Sequence, residues 1–145
     1  ITFSPAQRIQ GVLKSAKDDF EHGLLFDLKT LIEAEVFENF LEQAEYLLDA
    51  GFYYPSAVIV GCVLEDGLRK LCGIHDIEIE DKPKLDRMNS ELAKGGIYNK
   101  LTQKQITAFA DLRNKAAHGK WDEFTSEDVR IFINWVRTFM ESHFQ

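Results

Sequence analysis

Residues 113–119 read RNKAAHG, which places Arg113 and His118 five apart with Asn114 between them. Arginine supplies a planar, permanently charged fork that matches the geometry of a phosphate. Histidine, with an ordinary pKa of about 6.5, gives or takes a proton near neutrality. Asparagine can orient a hydroxyl or a phosphate oxygen. Together these side chains suit phosphodiester cleavage in RNA, where the ribose 2′-hydroxyl is the internal nucleophile. That first step needs no metal and no external water. His118 would take the 2′ proton or protonate the leaving 5′ oxygen. Arg113 would stabilise the charge that grows on the phosphorane.

The stretch closes a predicted helix. LTQKQ offers Thr102 as N-cap with Gln105 completing a capping box, and Gly119 stops the element. The apolar stripe of this helix runs Ile106, Phe109, Ala110 and Ala117. Arg113 follows Ile106 by seven and Phe109 by four, so it stands where a leucine is expected. An arginine in a core position needs a carboxylate, an anion or a water-filled cleft. Asn114 and His118, four apart, share a face, whereas Arg113 and His118 differ by about 140° around an ideal helix. A purely structural role fits the same spacing. Arg113 can pair with Glu65, Asp66 or Asp111, and His118 suits the negative end of a helix dipole.

The elements that position these residues are helical. Ser4, Pro5 and Gln7 form a start signal with a capping box, and a first helix is expected from Pro5 to about Glu21. A second is expected from Leu24 or Leu25 to Ala50, on the 3–4 spacing of Leu25, Leu28, Ile32, Val36, Phe37, Phe40, Leu41, Ala44, Leu47 and Leu48, and Gly51 ends it. A third, from Tyr53 or Tyr54 to before Gly73, is apolar on nearly all sides from Ala57 to Leu64, the mark of a central helix. Its Gly61 and Gly67 suggest close approach of a neighbour. A short helix spans Lys84 to Lys94, after a loop in which Ile77–Glu80 alternates as an extended piece would. The last helix is capped by Thr125 or Ser126 and carries Val129, Phe132, Ile133, Val136, Phe139 and Met140. Ile131 and Trp135 give it a second apolar face, suited to the short helix or, by preference, a second subunit. The expected fold is a single all-α domain, an up-and-down bundle of five to six helices, with residues 1–23 an N-terminal helix and 24–145 the bundle core.

The 145 residues are 45% hydrophobic and 28% charged, enough for one core. No apolar run reaches the roughly 18 residues of a membrane span, so no membrane partner is expected. The chain begins at Ile1, which suits a piece of a longer protein. Cys62 and Cys72 lie about 15 Å apart along one helix, too far for a bridge. They read as reduced, buried thiols of a cytoplasmic protein. The net charge of −7 argues against nonspecific coating of nucleic acid. Charge is uneven, however. Lys94 to Lys120 holds six basic residues (Lys94, Lys100, Lys104, Arg113, Lys115, Lys120) and one acidic, Asp111. Such a window can hold an anionic ligand or be a solvated face.

RNKAAHG resembles the R-x4-H signature of the HEPN superfamily (higher eukaryotes and prokaryotes nucleotide-binding domains), in its Arg-Asn-x-x-x-His form. YYPSAVIVGCVLEDGLRKL resembles that family's central helix, which ends in Leu-Glu-x-x-Leu-Arg, and the likeness in helix order covers about residues 24 to 144. The resemblance implies a homodimer whose two motifs face each other across a cleft. It implies a metal-independent endoribonuclease of toxin–antitoxin, phage-defence or RNA-processing systems, with an antitoxin or adjoining domain as further partner. It makes Arg113 and His118 catalytic, Asn114 supporting and Glu65 a partner of Arg113; Lys115 and Lys120, from the basic window, are the expected RNA or phosphate contacts beside them. No cofactor is implied. Lys120 stands where one toxin subgroup has a modifiable tyrosine, so that modification is not expected here. Some members keep the fold without cleavage, so a noncatalytic nucleotide- or RNA-binding or dimerisation module is the alternative.

Other groupings are weaker. His75, Asp76, Glu78, Glu80 and Asp81 fit no metal-ligand spacing and read as a solvated loop. His22 and His143 lack partners at useful spacing, and Ser56 and Ser126 lack a nucleophile-elbow context.

Overall fold

The structure, a computed structural model, describes residues 4–144; the side chains of residues 19–20, 22–27 and 29–30 lie outside the described set, and with them His22 and Leu25. The elements are α1 (Pro5–Asp49), α2 (Tyr53–Ile74), α3 (Leu85–Lys94), α4 (Lys100–Ala117), one 3-10 turn (Trp121–Glu123) and α5 (Ser126–His143). Among the described residues there is no strand. The protein is an all-α helical bundle. No helix among the described residues is long and apolar enough to cross a membrane.

The two expected N-terminal helices are one helix of 45 residues. Gly23 does not interrupt it, because a lone glycine costs a helix only about 1 kcal/mol. The start is as expected, with Ser4 and Gln7 in a reciprocal capping box. The end is too: Gly51 takes φ 93°, while the Gly51 and Phe52 N–H groups donate to the carbonyls of Leu48 and Leu47. Among the described residues, α1 joins the core through its C-terminal part, at Phe37, Leu41, Ala44 and Leu48. Every described side chain from Ser4 to Asp18 is exposed.

α2 is the central element. Val60, Leu64, Leu68 and Leu71 are fully buried, each contributing about 1.5–3 kcal/mol of transfer free energy. Its glycines set the distance to its neighbours. A Cβ built on Gly61 would stand 2.0 Å from Arg113 Cγ, and one on Gly67 would stand 2.6 Å from Met140 Cε. α4 therefore crosses at Gly61 and α5 at Gly67. Against α1 the close approach is marked by a buried bond, in which the Ser56 hydroxyl donates to the Ala44 carbonyl at 2.7 Å. α2 runs past Gly73 to Ile74.

Charged side chains fix α1 against α5. Arg137 Nε donates to both Glu38 carboxylate oxygens, at 3.1 and 3.2 Å, and its Nη1 donates to Glu45. Arg130 donates to Asp49 at 2.7 Å. The partner numbers fall on α1 as they rise on α5, so the helices are antiparallel. The apolar seam of α5 is buried as expected, and Thr125 is its cap, with Asp128 closing a capping box. Trp135 is covered within the chain, by Phe109 of α4 at 5.1 Å and Phe139 at 5.1 Å. Of the two residues on the expected second face, only Ile131 remains exposed.

α4 begins earlier than its sequence signal. Asn99, not Thr102, is the N-cap, and its side chain accepts from the Thr102 N–H at 2.9 Å. Cys72 is buried, which raises its thiol pKa, with Glu91 adding to the effect. Cys62 is exposed, contrary to expectation, because it lines an open groove between α2 and Val36, Phe37 and Phe40 of α1.

Asn89 locks α3 to α4. Its amide donates to the Gln103 carbonyl at 3.0 Å and the Thr107 hydroxyl at 3.2 Å, and it accepts from the Tyr98 hydroxyl at 2.6 Å. Burial, then the nearby Cys72, raises the Tyr98 pKa, so this hydroxyl remains a donor. Replacing Asn89 by leucine removes these bonds while keeping the number and branching of the side-chain heavy atoms. The expected loss is about 1–3 kcal/mol in urea denaturation, part of which Tyr98→Phe recovers in the same background.

Candidate functional site

Arg113 occupies the core-facing stripe of α4 with 18% of its side chain exposed. It fits there because Gly61 has no side chain: its aliphatic stem lies where a Cβ of α2 would be. One turn further along the same face of α2 is Glu65, four residues on. Arg113 Nη1 stands 3.7 Å from Glu65 Oε2, an ion pair longer than a hydrogen bond. Its Nε–H donates to Asn114 Oδ1 at 3.1 Å. Among the described residues this is the one direct hydrogen bond of the guanidinium, which has five N–H donors.

Other acids are occupied elsewhere. Asp66 pairs with Arg69 at 3.4 Å and Lys70 at 2.9 Å, and Asp111 pairs with Lys115 at 3.1 Å. Glu65 is thus the carboxylate that Arg113 meets. The Asp111 hydrogen bond raises the Lys115 pKa, with Glu123 a smaller contributor.

Beside this pair is an open cleft of about 270 Å³. Arg113, Asn114 and Ala110 form the α4 wall, Glu65 the α2 wall, and Lys84, Leu85 and Asp86 the opposite rim. Two cations and two carboxylates border it, so its formal charge balances. An entering anion would find Arg113 and Lys84 but would have to displace Glu65 from Arg113. Lys84 and Asp86 were not singled out by spacing, since the start of α3 meets the motif only through the fold.

His118 lies elsewhere. It is exposed, at the C-cap of α4, and its N–H donates to the Asn114 carbonyl at 3.0 Å. Gly119, at φ 74°, turns the chain, and the Lys120 N–H returns to the Lys115 carbonyl at 2.9 Å. Among the described residues no hydrogen bond or ion pair joins His118 to Arg113 or Glu65. One chain thus brings together Arg113, Asn114 and Glu65, and leaves His118, Lys115 and Lys120 outside the cleft.

The His118 turn is nevertheless held firmly. Trp121 Nε1 donates to the Ala116 carbonyl at 3.0 Å, its ring stacks on Tyr54 at 4.3 Å, and its carbonyl accepts from the Tyr53 hydroxyl at 3.0 Å. Tyr53, Tyr54 and Trp121 position the turn without any motif that announces it; the adjacent HGKW is the one local signal. Ala116, rather than Ala117, supplies the buried stripe position there. As α4 runs from Ala110 to Ala117 its α2 partners run back from Glu65 to Tyr54, so the two helices are antiparallel.

The fold and site define an all-α bundle with a half-buried arginine–asparagine–glutamate cluster at the seam between its central helix and α4. No family model matches the chain, and no curated protein and no solved structure matches it.

Gly61→Ala places a methyl on the near stem of Arg113, and Gly67→Ala places one against the movable end of Met140. Helix propensity favours both changes by about 1 kcal/mol. At Gly61 the overlap outweighs that gain, with an expected net loss of about 1–3 kcal/mol. Gly67→Ala is expected to be nearer to neutral, and urea denaturation of the two variants checks the difference.

Proposed function

We propose that this chain is a metal-independent endoribonuclease of HEPN type, cleaving RNA by 2′-hydroxyl transesterification in a cleft between two copies. The observation that carries the reading is Arg113, a permanent cation held at a core position, with most of its N–H donors not engaged in direct hydrogen bonds among the described residues. In this reading an RNA phosphate replaces Glu65 on the guanidinium, and Asn114 keeps the fork oriented. His118 is the acid–base group, supplied to the shared cleft at the end of α4. Lys115 and Lys120 meet flanking phosphates. A toxin–antitoxin or phage-defence role follows from the same resemblance, and the two unbridged cysteines suit a cytoplasmic site.

One observation favours a second reading, a noncatalytic nucleotide- or RNA-binding or dimerisation module. Glu65 already balances the charge of Arg113 within one chain and Asn114 accepts one of its N–H groups, and the cleft carries balanced charge. There Arg113 serves the seam, and no RNA is hydrolysed.

RNA cleavage in the presence of EDTA separates the two. The ribonuclease reading expects products ending in 2′,3′-cyclic phosphate. Arg113→Ala and His118→Ala should each lower the rate by at least about a hundredfold, in the range of acid–base and charge-stabilising groups. Equal cleavage by wild type and both variants, or none by wild type on a mixed RNA pool, would sink it.

A further inference from the structure

The N-terminal arm of α1 carries apolar side chains that stand exposed among the described residues, the last of them, Leu31, at the edge of a cleft beside α5. Ile9 is 60% exposed, Leu13 64%, Leu28 46% and Leu31 65%. On an ideal helix these four fall within about 100° of one another, a sector they share with Lys17 and Asp27, and the exposed Val12 and Ile32 lie on either side of it. An arm from Pro5 to about Glu33 is roughly 43 Å long. Helices of that kind draw most of their stability in water from packing an apolar face. Such a face implies an occupant.

The charges of the arm point to what it is. Residues 4–17 hold Arg8, Lys14 and Lys17 and no acid, whereas residues 18–35 hold six acids (Asp18, Asp19, Glu21, Asp27, Glu33, Glu35) and Lys29. A second arm laid parallel would put basic against basic and acidic against acidic. Laid antiparallel, it sets each basic end against an acidic stretch. The apolar positions then also come opposite: Ile9 faces Leu31 and Leu13 faces Leu28, about a centre near residue 20. The arm complements a reversed copy of itself, the self-matching surface that a two-fold dimer requires.

We propose that two copies of this chain associate through an antiparallel pair of α1 arms. This contact lies apart from the Arg113 cleft and does not depend on the ribonuclease reading.

Cross-linking of the full chain tests it. Ile9→Cys and Leu31→Cys are made separately in a Cys62→Ser background, since Cys62 is the exposed native thiol. A short bismaleimide is then added to each variant alone and to their mixture. In the antiparallel pair, position 9 lies about 33 Å from its own copy. The expected result is a cross-linked dimer in the mixture and little in either variant alone. Adding Leu13→Glu to both chains should cut that product at least tenfold while the circular dichroism spectrum persists. Sedimentation of the unmodified chain should give at least twice its 16.7 kDa mass. A product from Ile9→Cys alone would mean parallel arms and overturn the proposal. So would a monomeric mass, which would mean that something other than a second copy covers the arm, or a product that Leu13→Glu leaves unchanged.

Discussion

A missing side chain on α2 allows a charged one on α4. Arg113 can lie in the stripe of α4 only because Gly61 leaves its stem room, with a Cβ position 2.0 Å from Arg113 Cγ. Once seated, the guanidinium is steered to the same face of α2, where Glu65 stands one turn on. A larger residue at position 61 would move the arginine, the axis of α4, or both. The seam between the two helices and the chemistry at its edge are therefore one constraint.

The rest of the bundle supports that seam. α2 is held on its other sides by the Ser56–Ala44 bond and by Met140 over Gly67. α5 is tied to α1 by Arg137 and Arg130, and to α4 by the stack of Phe109 on Phe132 at 4.7 Å. Asn89 fixes α3 to α4 and so sets where the loop bearing Lys84 approaches Arg113. Trp121 pins the far end of α4 to the start of α2. The electrostatics of the cleft are in tension. Arg113 is already matched by Glu65, so any anion entering the cleft would have to exchange with that carboxylate.

Much of this was legible from residue types. The 3–4 stripes predicted α5 and, in α1, Phe37, Leu41, Ala44 and Leu48, although Leu28, Ile32, Val36 and Phe40 of that stripe are exposed; the cap at Ser4 and, of the two candidates for α5, Thr125 have partners three residues away. Gly61 and Gly67 announced close neighbours, and Arg113 announced a need for a partner, with Glu65 among the three acids named. Errors arose where a local signal competed with a stronger one. A break was expected between Glu21 and Leu24, yet the single glycine there, Gly23, does not stop the helix. Thr102 looked like a cap, but Asn99 stands earlier and caps better. Cys62 and Trp135 needed the packing itself: which side of α2 faces solvent, and which helix covers α5, are not encoded in spacing. The aromatic hold on the His118 turn joins residues up to 68 apart and left no local trace beyond Trp121.

The account rests on the contact between Gly61 and Arg113, and a double-mutant cycle in stability measures it directly. Gly61→Ala is compared in the native background and in Arg113→Ala, which lacks the Cγ that makes the closest contact. The predicted result is a coupling of at least about 1 kcal/mol, with Gly61→Ala far less costly once Arg113 is truncated. Additive effects, within roughly 0.3–0.5 kcal/mol, would contradict the claim that the arginine is seated on the glycine.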